Sequence, residues 1–260
     1  MGNLWNFRFY IFSSIRNELI NRINRSKLGL LWMIINPIVQ VTLYTLILSS
    51  VLAAKLPGID NNYGYSIYLI AGLISWSLFS EIVMRCLNIF IEQGGLLKKI
   101  NFSYGTLPSI VVGSSLINYI LIFIAMVFIF IFIDYQFNIN LLWLIPMSII
   151  LVVFSLGLGL ILGVMNVFVR DIGQFFPVFL QLWFWLTPIV YPISIIPENF
   201  RYIVDLNPMT IIVEAYHQII VYGLSPKLSE IFFVSVISLI IFLVGIFILH
   251  RASAEMSDVL

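Results

Sequence analysis

Residues 141–169 read LLWLIPMSIILVVFSLGLGLILGVMNVFV, without one Asp, Glu, Lys or Arg. A helix needs about 20 mostly apolar residues to cross a hydrocarbon core about 30 Å thick, so this stretch reads as a membrane span. Working outward, Leu28–Ala54, Leu107–Ile133, Ile172–Pro197 and Ile231–Leu249 are also long and uncharged. A sixth stretch, Tyr65–Ile91, carries Glu81 and Arg85 near its end. The expected fold is an all-α integral membrane protein: one domain over residues 1–260, with spans at 28–54, 65–91, 107–133, 141–169, 172–197 and 231–249.

Composition agrees. Apolar residues make up 61% of the 260 and charged residues 10%, against about 25% charged in a soluble domain. A soluble enzyme, a secreted scaffold and a disordered chain are excluded. The net charge of +1 gives no reason to expect nucleic acid as a partner. Cys86 is the single cysteine, so no intrachain disulfide can form.

The Lys/Arg bias orients the chain. One side holds Arg8, Arg16, Arg22, Arg25, Lys27, Lys98, Lys99, Arg170 and Arg251; the other holds Lys55, Arg201 and Lys227. Six spans with this bias put both termini in the cytoplasm. Ahead of the first span, residues 1–27 read as an amphipathic interface helix. Trp5, Phe9, Phe12, Ile15, Leu19 and Ile23 recur every three or four residues, with Arg8 and Arg16 at the edge of the stripe. A disordered basic tail is the alternative. Between spans 5 and 6, residues 191–229 are not plain loop. Asn207 followed by Pro208 reads as a helix N-cap with proline at the first helical position, and Gly223 as the C-terminal stop. A helix over Met209–Tyr222 is too short to span, so it lies in the interface or dips in and returns.

Catalytic signatures are missing. No Gly-Lys dipeptide occurs, hence no phosphate-binding P-loop, and there is no HExxH or GxSxG. His217, three residues after Glu214, reads as part of an interfacial polar face, and no metal site or cofactor is expected. Glu81 and Arg85 stand at i, i+4 in the favourable order. They form either a self-paired couple at the interface or a polar contact at the inner mouth of a pathway.

The spans carry uncharged polarity instead. Asn36, Gln40 and Tyr44 share one face of span 1, and Gln174, Gln181 and Trp185 one face of span 5, amid Phe175, Phe176, Phe179 and Trp183. Amides suit sugar hydroxyls, and aromatic faces suit the C–H faces of pyranose rings. The competing reading is interhelical packing and lipid contact. The candidate lining of a substrate path is Asn36, Gln40, Tyr44, Trp76, Phe79, Phe176, Gln181, Trp183, Trp185 and Tyr191. In span 4, Ser155, Gly159 and Gly163 recur every four residues, a spacing that lets helices approach closely.

The run Leu156-Gly157-Leu158-Gly159 through Val167-Phe168-Val169-Arg170-Asp171, then Trp183–Tyr191, Ile196-Pro197-Glu198 and Asn207-Pro208, resembles the permeases of type 2 ABC exporters for polysaccharides. Arg25–Trp32 with Asn36-Pro37, and Tyr65–Leu69 with Gly72, fit the same family, whose members export O-antigen, teichoic acid and capsule. The resemblance implies a homodimer in the bacterial inner membrane, paired with a separate ATP-binding subunit that holds ATP and Mg. It implies short re-entrant external helices and a lipid-linked polysaccharide as cargo. It also turns the N-terminal helix and the loop between spans 2 and 3 toward the ATPase, which makes Arg16, Arg22, Glu92, Lys98 and Lys99 coupling candidates. Two rivals stay open: a membrane-embedded flippase or enzyme for lipid-linked sugars with no ATPase partner, and an ABC exporter of a small lipid or drug.

Overall fold

The computed structural model describes residues 4–24, Ile35, Val39, 64–95 and 104–259. Span 1 apart from Ile35 and Val39, and with it Asn36, Gln40 and Tyr44, lies outside the described residues, as do the loop cations Lys98 and Lys99 and the side chain of Arg22. Among the described residues every regular element is helical. After a 3-10 turn at Leu4–Phe7 come α1 (Arg8–Asn24), α2 (Gly64–Glu92), α3 (Thr106–Phe132) and α4 (Leu144–Phe168). Then follow α5 (Ile172–Leu186), α6 (Glu198–Asp205), α7 (Pro208–Ile220) and α8 (Leu228–Val259).

Among the described residues four stretches are long and apolar enough to cross a bilayer: Gly64–Glu92, Thr106–Phe132, Ile139–Phe168 and Leu228–Met256. The chain is therefore a multi-pass α-helical membrane protein. Two boundaries differ from expectation. Apart from a short 3-10 turn at Ile193–Ile195, the predicted span 172–197 is α-helical only over Ile172–Leu186. At 1.5 Å per residue that is about 22 Å, short of a hydrocarbon core. The stop is local chemistry: Thr187 sits before Pro188 and is extended, at φ −102° and ψ 135°, as a residue ahead of proline prefers. The last helix is longer than the predicted 231–249. It runs on past His250 and Arg251, and its Met256 is buried with Phe90, Leu107 and Leu249.

α2 is the central helix, packed against α3, α4 and α7. In a bilayer, apolar burial gives little drive, because lipid is as apolar as leucine; close packing and interhelical hydrogen bonds hold the helices instead. The glycines of α4 supply the closeness on two faces. A Cβ at Gly159 would lie 2.7 Å from Cys86 Cβ, and one at Gly163 would run into the Cys86 carbonyl, both on α2. On the opposite face a Cβ at Gly157 would sit 2.6 Å from Phe242 Cα of α8. Outward, α3 and α8 present Ile124, Phe128, Phe232 and Phe247 as exposed apolar side chains, the surface a hydrocarbon solvent requires.

A candidate translocation and coupling site

The segment after α5 is held by hydrogen bonds from three directions. Tyr65 Oη donates to the Val190 carbonyl at 2.8 Å, and Tyr68 Oη is 3.1 and 2.9 Å from the carbonyls of Pro188 and Tyr191. Two tyrosines in the first turns of α2 thus satisfy the carbonyls of a buried, non-helical turn, groups that would be costly to leave unpaired. The third anchor is Asn207. Its Oδ1 accepts from the Met209 N–H and from the Trp183 indole N–H, each at 3.0 Å, and its Nδ2 donates to Thr187 Oγ1 at 3.0 Å. The predicted cap and Pro208 start are present, and Gly223 takes the left-handed conformation at φ +63°. Its carbonyl accepts from Asn138 and Asn140, which ties the end of α7 to the loop between α3 and α4.

The expectation that His217 belongs to an interfacial polar face is overturned. His217 is fully buried, stacked on Tyr68 with centroids 3.6 Å apart and planes 17° from parallel. Nε2 lies 3.1 Å from the Tyr68 carbonyl and donates to it. Burial lowers its pKa to about 3, so the ring stays neutral. Gly72 leaves the room: a Cβ there would be 3.1 Å from His217 Nε2. Nearby Glu214 is pushed up to about 7, first by burial and then by Glu230, against the opposing pull of Lys227. A further link, which sequence spacing gave no means to find, joins Tyr119, Ser148 and Tyr216. Their hydroxyls lie 2.9 to 3.0 Å apart and dock α7 onto α3 and α4. Among the described residues no three His, Cys, Asp or Glu side chains gather as a metal site.

The structure divides the candidate lining. Trp76, Phe79 and Phe176 are buried. Trp183 meets Trp76 and Phe79 edge-on, with centroids 6.4 and 5.1 Å apart. This aromatic group packs α5 onto α2. Gln174, Gln181 and Trp185 stand exposed on the other side of α5, beside Phe175 and Leu182. Tyr191 is half-buried, and its hydroxyl donates to the Trp185 carbonyl at 2.6 Å. So α5 has two unlike faces, one locked into the bundle and one exposed in the described structure.

At the other end of the bundle lies a charged network. Arg85 Nη2 donates to Glu18 Oε2 of α1 at 2.8 Å, and Nη1 donates to Ser114 Oγ at 2.6 Å. Glu81 Oε1 is 3.5 Å from Arg85 Nη1, while Oε2 accepts from Asn118 at 2.6 Å. The self-paired couple inferred from spacing is thus a three-helix network. Glu18 was missed because nothing in the sequence relates positions 18 and 85. Of the coupling candidates, Arg16 and Glu92 are exposed.

These features, several long apolar helices around a buried central one with a capped hairpin clamped to its end, define a multi-pass helical membrane protein. Residues 10–221 match the ABC-2 type transporter family, and the chain belongs to that family. An O-antigen export system permease protein RfbA from Klebsiella pneumoniae is 28% identical over 246 residues, covering 94% of this chain and 92% of that one. A protein of the same name from Myxococcus xanthus is 28% identical over 218 residues, covering 83% and 82%. The polysialic acid transport protein KpsM of Escherichia coli is 24% identical over 244 residues, covering 92% and 91%.

Proposed function

We propose that this chain is the permease subunit of an ATP-driven exporter that moves a lipid-linked, O-antigen-like polysaccharide out of the cytoplasm. The observation that carries the reading is the exposed face of α5. Gln174, Gln181 and Trp185 offer amides and an aromatic ring without a charge, on a helix too short to be an ordinary span. A path for a long glycan must bind each sugar and then release it; amides and rings do this weakly and repeatedly, where a buried charge would hold one unit. The relatives named for O-antigen and polysialic acid point to the same cargo class.

In this reading two copies form a homodimer in the inner membrane, with the path between their α5 faces. The α6–α7 hairpin caps it on the outer side, and both termini are cytoplasmic. ATP hydrolysis belongs to a separate subunit that meets α1 and the loop after α2. The test is reconstitution of the purified permease in liposomes, with and without its ATP-binding subunit. ATP-dependent movement of lipid-linked glycan only when both are present is expected. Movement by the permease alone would favour a flippase and overturn the reading.

A further inference from the structure

α1 packs along α3 and reaches α2 from the same face. Ile15 fills the space above Gly113 of α3, where a Cβ would run into Ile15 Cδ1. One turn later Glu18 reaches Arg85 of α2. Toward the N-terminus, Trp5 of the preceding 3-10 turn and Phe9 and Phe12 of α1 are exposed. Arg85 in turn is fixed by α3 through Ser114, and its neighbour Glu81 by Asn118 of α3. Alongside the packing of α1 on α3, the guanidinium of Arg85, in the C-terminal third of the central helix, is thus a place where a movement of α1 can reach α2.

Stability alone does not account for such a device. Glu18 and Arg85 keep 26% and 24% of their side-chain exposure. A partly exposed pair of this kind adds little to stability. Apolar residues in its place often serve as well or better. What the charges add is direction and register, because a planar guanidinium that donates Nη2 to Glu18 of α1 and Nη1 to Ser114 of α3 keeps both bonds only at one alignment of the helices.

We propose that Glu18 and Arg85 are positioning residues for export, the joint through which movement of α1 is passed to α2. The proposal rests on the reading that α1 contacts the ATPase. It differs from that reading in placing transmission in one ion pair rather than in the cytoplasmic surface. The experiment is a double-mutant cycle in the complete exporter: Glu18→Gln, Arg85→Gln and both together. Three quantities are measured for each: recovery of the permease–ATPase complex, ATP hydrolysis, and appearance of the host's polysaccharide at the cell surface.

Each single variant is expected to assemble and hydrolyse ATP while export per ATP falls roughly 5- to 150-fold, the ordinary range of a coupling between sites. The double variant is expected to fall no further than Arg85→Gln, since the two act as one. Wild-type export per ATP in Glu18→Gln would overturn the proposal. So would losses that multiply in the double variant, or loss of the assembled complex in Glu18→Gln, which would make the pair merely structural. If the wild-type exporter itself shows no ATP-dependent export, the proposed function fails, and this outcome is distinct from the others.

Discussion

Trp183 donates its indole N–H to Asn207 Oδ1 at 3.0 Å, across the break between α5 and the hairpin that follows. The same oxygen caps α7 through the Met209 N–H. One side chain thus sets where α7 begins and ties the end of α5 to it. The aromatic residue that looked like a sugar contact in the sequence serves here as a structural pin.

The first prediction concerns that pin. Asn207→Ala removes the cap and two side-chain links. Loss of an N-cap alone costs about 0.5–2 kcal/mol. Trp183→Phe keeps the ring packing against Phe79 but drops a hydrogen bond, for about 0.5–1.5 kcal/mol. Both should lower the apparent melting temperature in detergent, Asn207→Ala by more. Equal melting of all three proteins would show that the hairpin is held by packing alone.

The second prediction concerns the α2–α4 crossing. Gly163→Leu must push Phe90 and the Cys86 carbonyl apart. Forced overpacking of this kind costs about 1–3 kcal/mol or more. Expression and monodispersity should drop. Gly95→Ala, with nothing within 4 Å of an added Cβ, should behave as wild type. Normal yield of Gly163→Leu would mean that the crossing opens at little cost.

How far the sequence could be read follows from the range of the forces involved. The four long spans, the Asn207-Pro208 start, the Gly223 stop and the close glycines of α4 were all legible, because each depends on its own few residues. The end of α5 was legible in principle from Thr187-Pro188, yet apolar length ran the span on to Pro197. His217 and Glu18 were not legible. Their roles come from partners 149 and 67 positions away, and no local pattern carries such a distance. The two faces of α5 were half legible: periodicity grouped Gln174, Gln181 and Trp185, but only the structure shows that Trp183 turns inward.

The third prediction is a pH dependence. The Glu214 carboxyl is raised from an ordinary 4.5 to about 7, chiefly by burial. Between these values the folded protein holds a proton that the unfolded chain has lost, so stability falls as pH rises. The contribution of Glu214 is fully present below about pH 4.5 and gone above about pH 7. Apparent melting temperature should decline over that window in wild type and decline less in Glu214→Gln. Parallel curves for the two proteins would assign the dependence to other groups.

The fourth prediction separates the two faces of α5. If the exposed face lines an aqueous path, a cysteine at Gln181 should react with a small water-soluble thiol reagent from the membrane-embedded protein. Cys86 is buried and is replaced by alanine for the measurement. A glycan held in transit, arrested by trapping the ATPase before hydrolysis, should slow that reaction, because sugars then occupy the space beside the thiol. A cysteine at Phe128 of α3, exposed among apolar neighbours, supplies the lipid-facing comparison and should stay unreactive, since thiolate hardly forms in hydrocarbon. Side-chain truncation completes the contrast. Trp185→Ala should reduce export while leaving yield and melting unchanged, because its ring touches little of the bundle. Trp183→Ala should instead reduce yield and melting, through the lost link to Asn207 and the lost packing on Trp76 and Phe79. The reading fails if the Gln181 thiol is as silent as the Phe128 thiol in every nucleotide state while Trp185→Ala exports normally. In that case the amides of α5 face lipid or another helix, and the path must run elsewhere in the molecule.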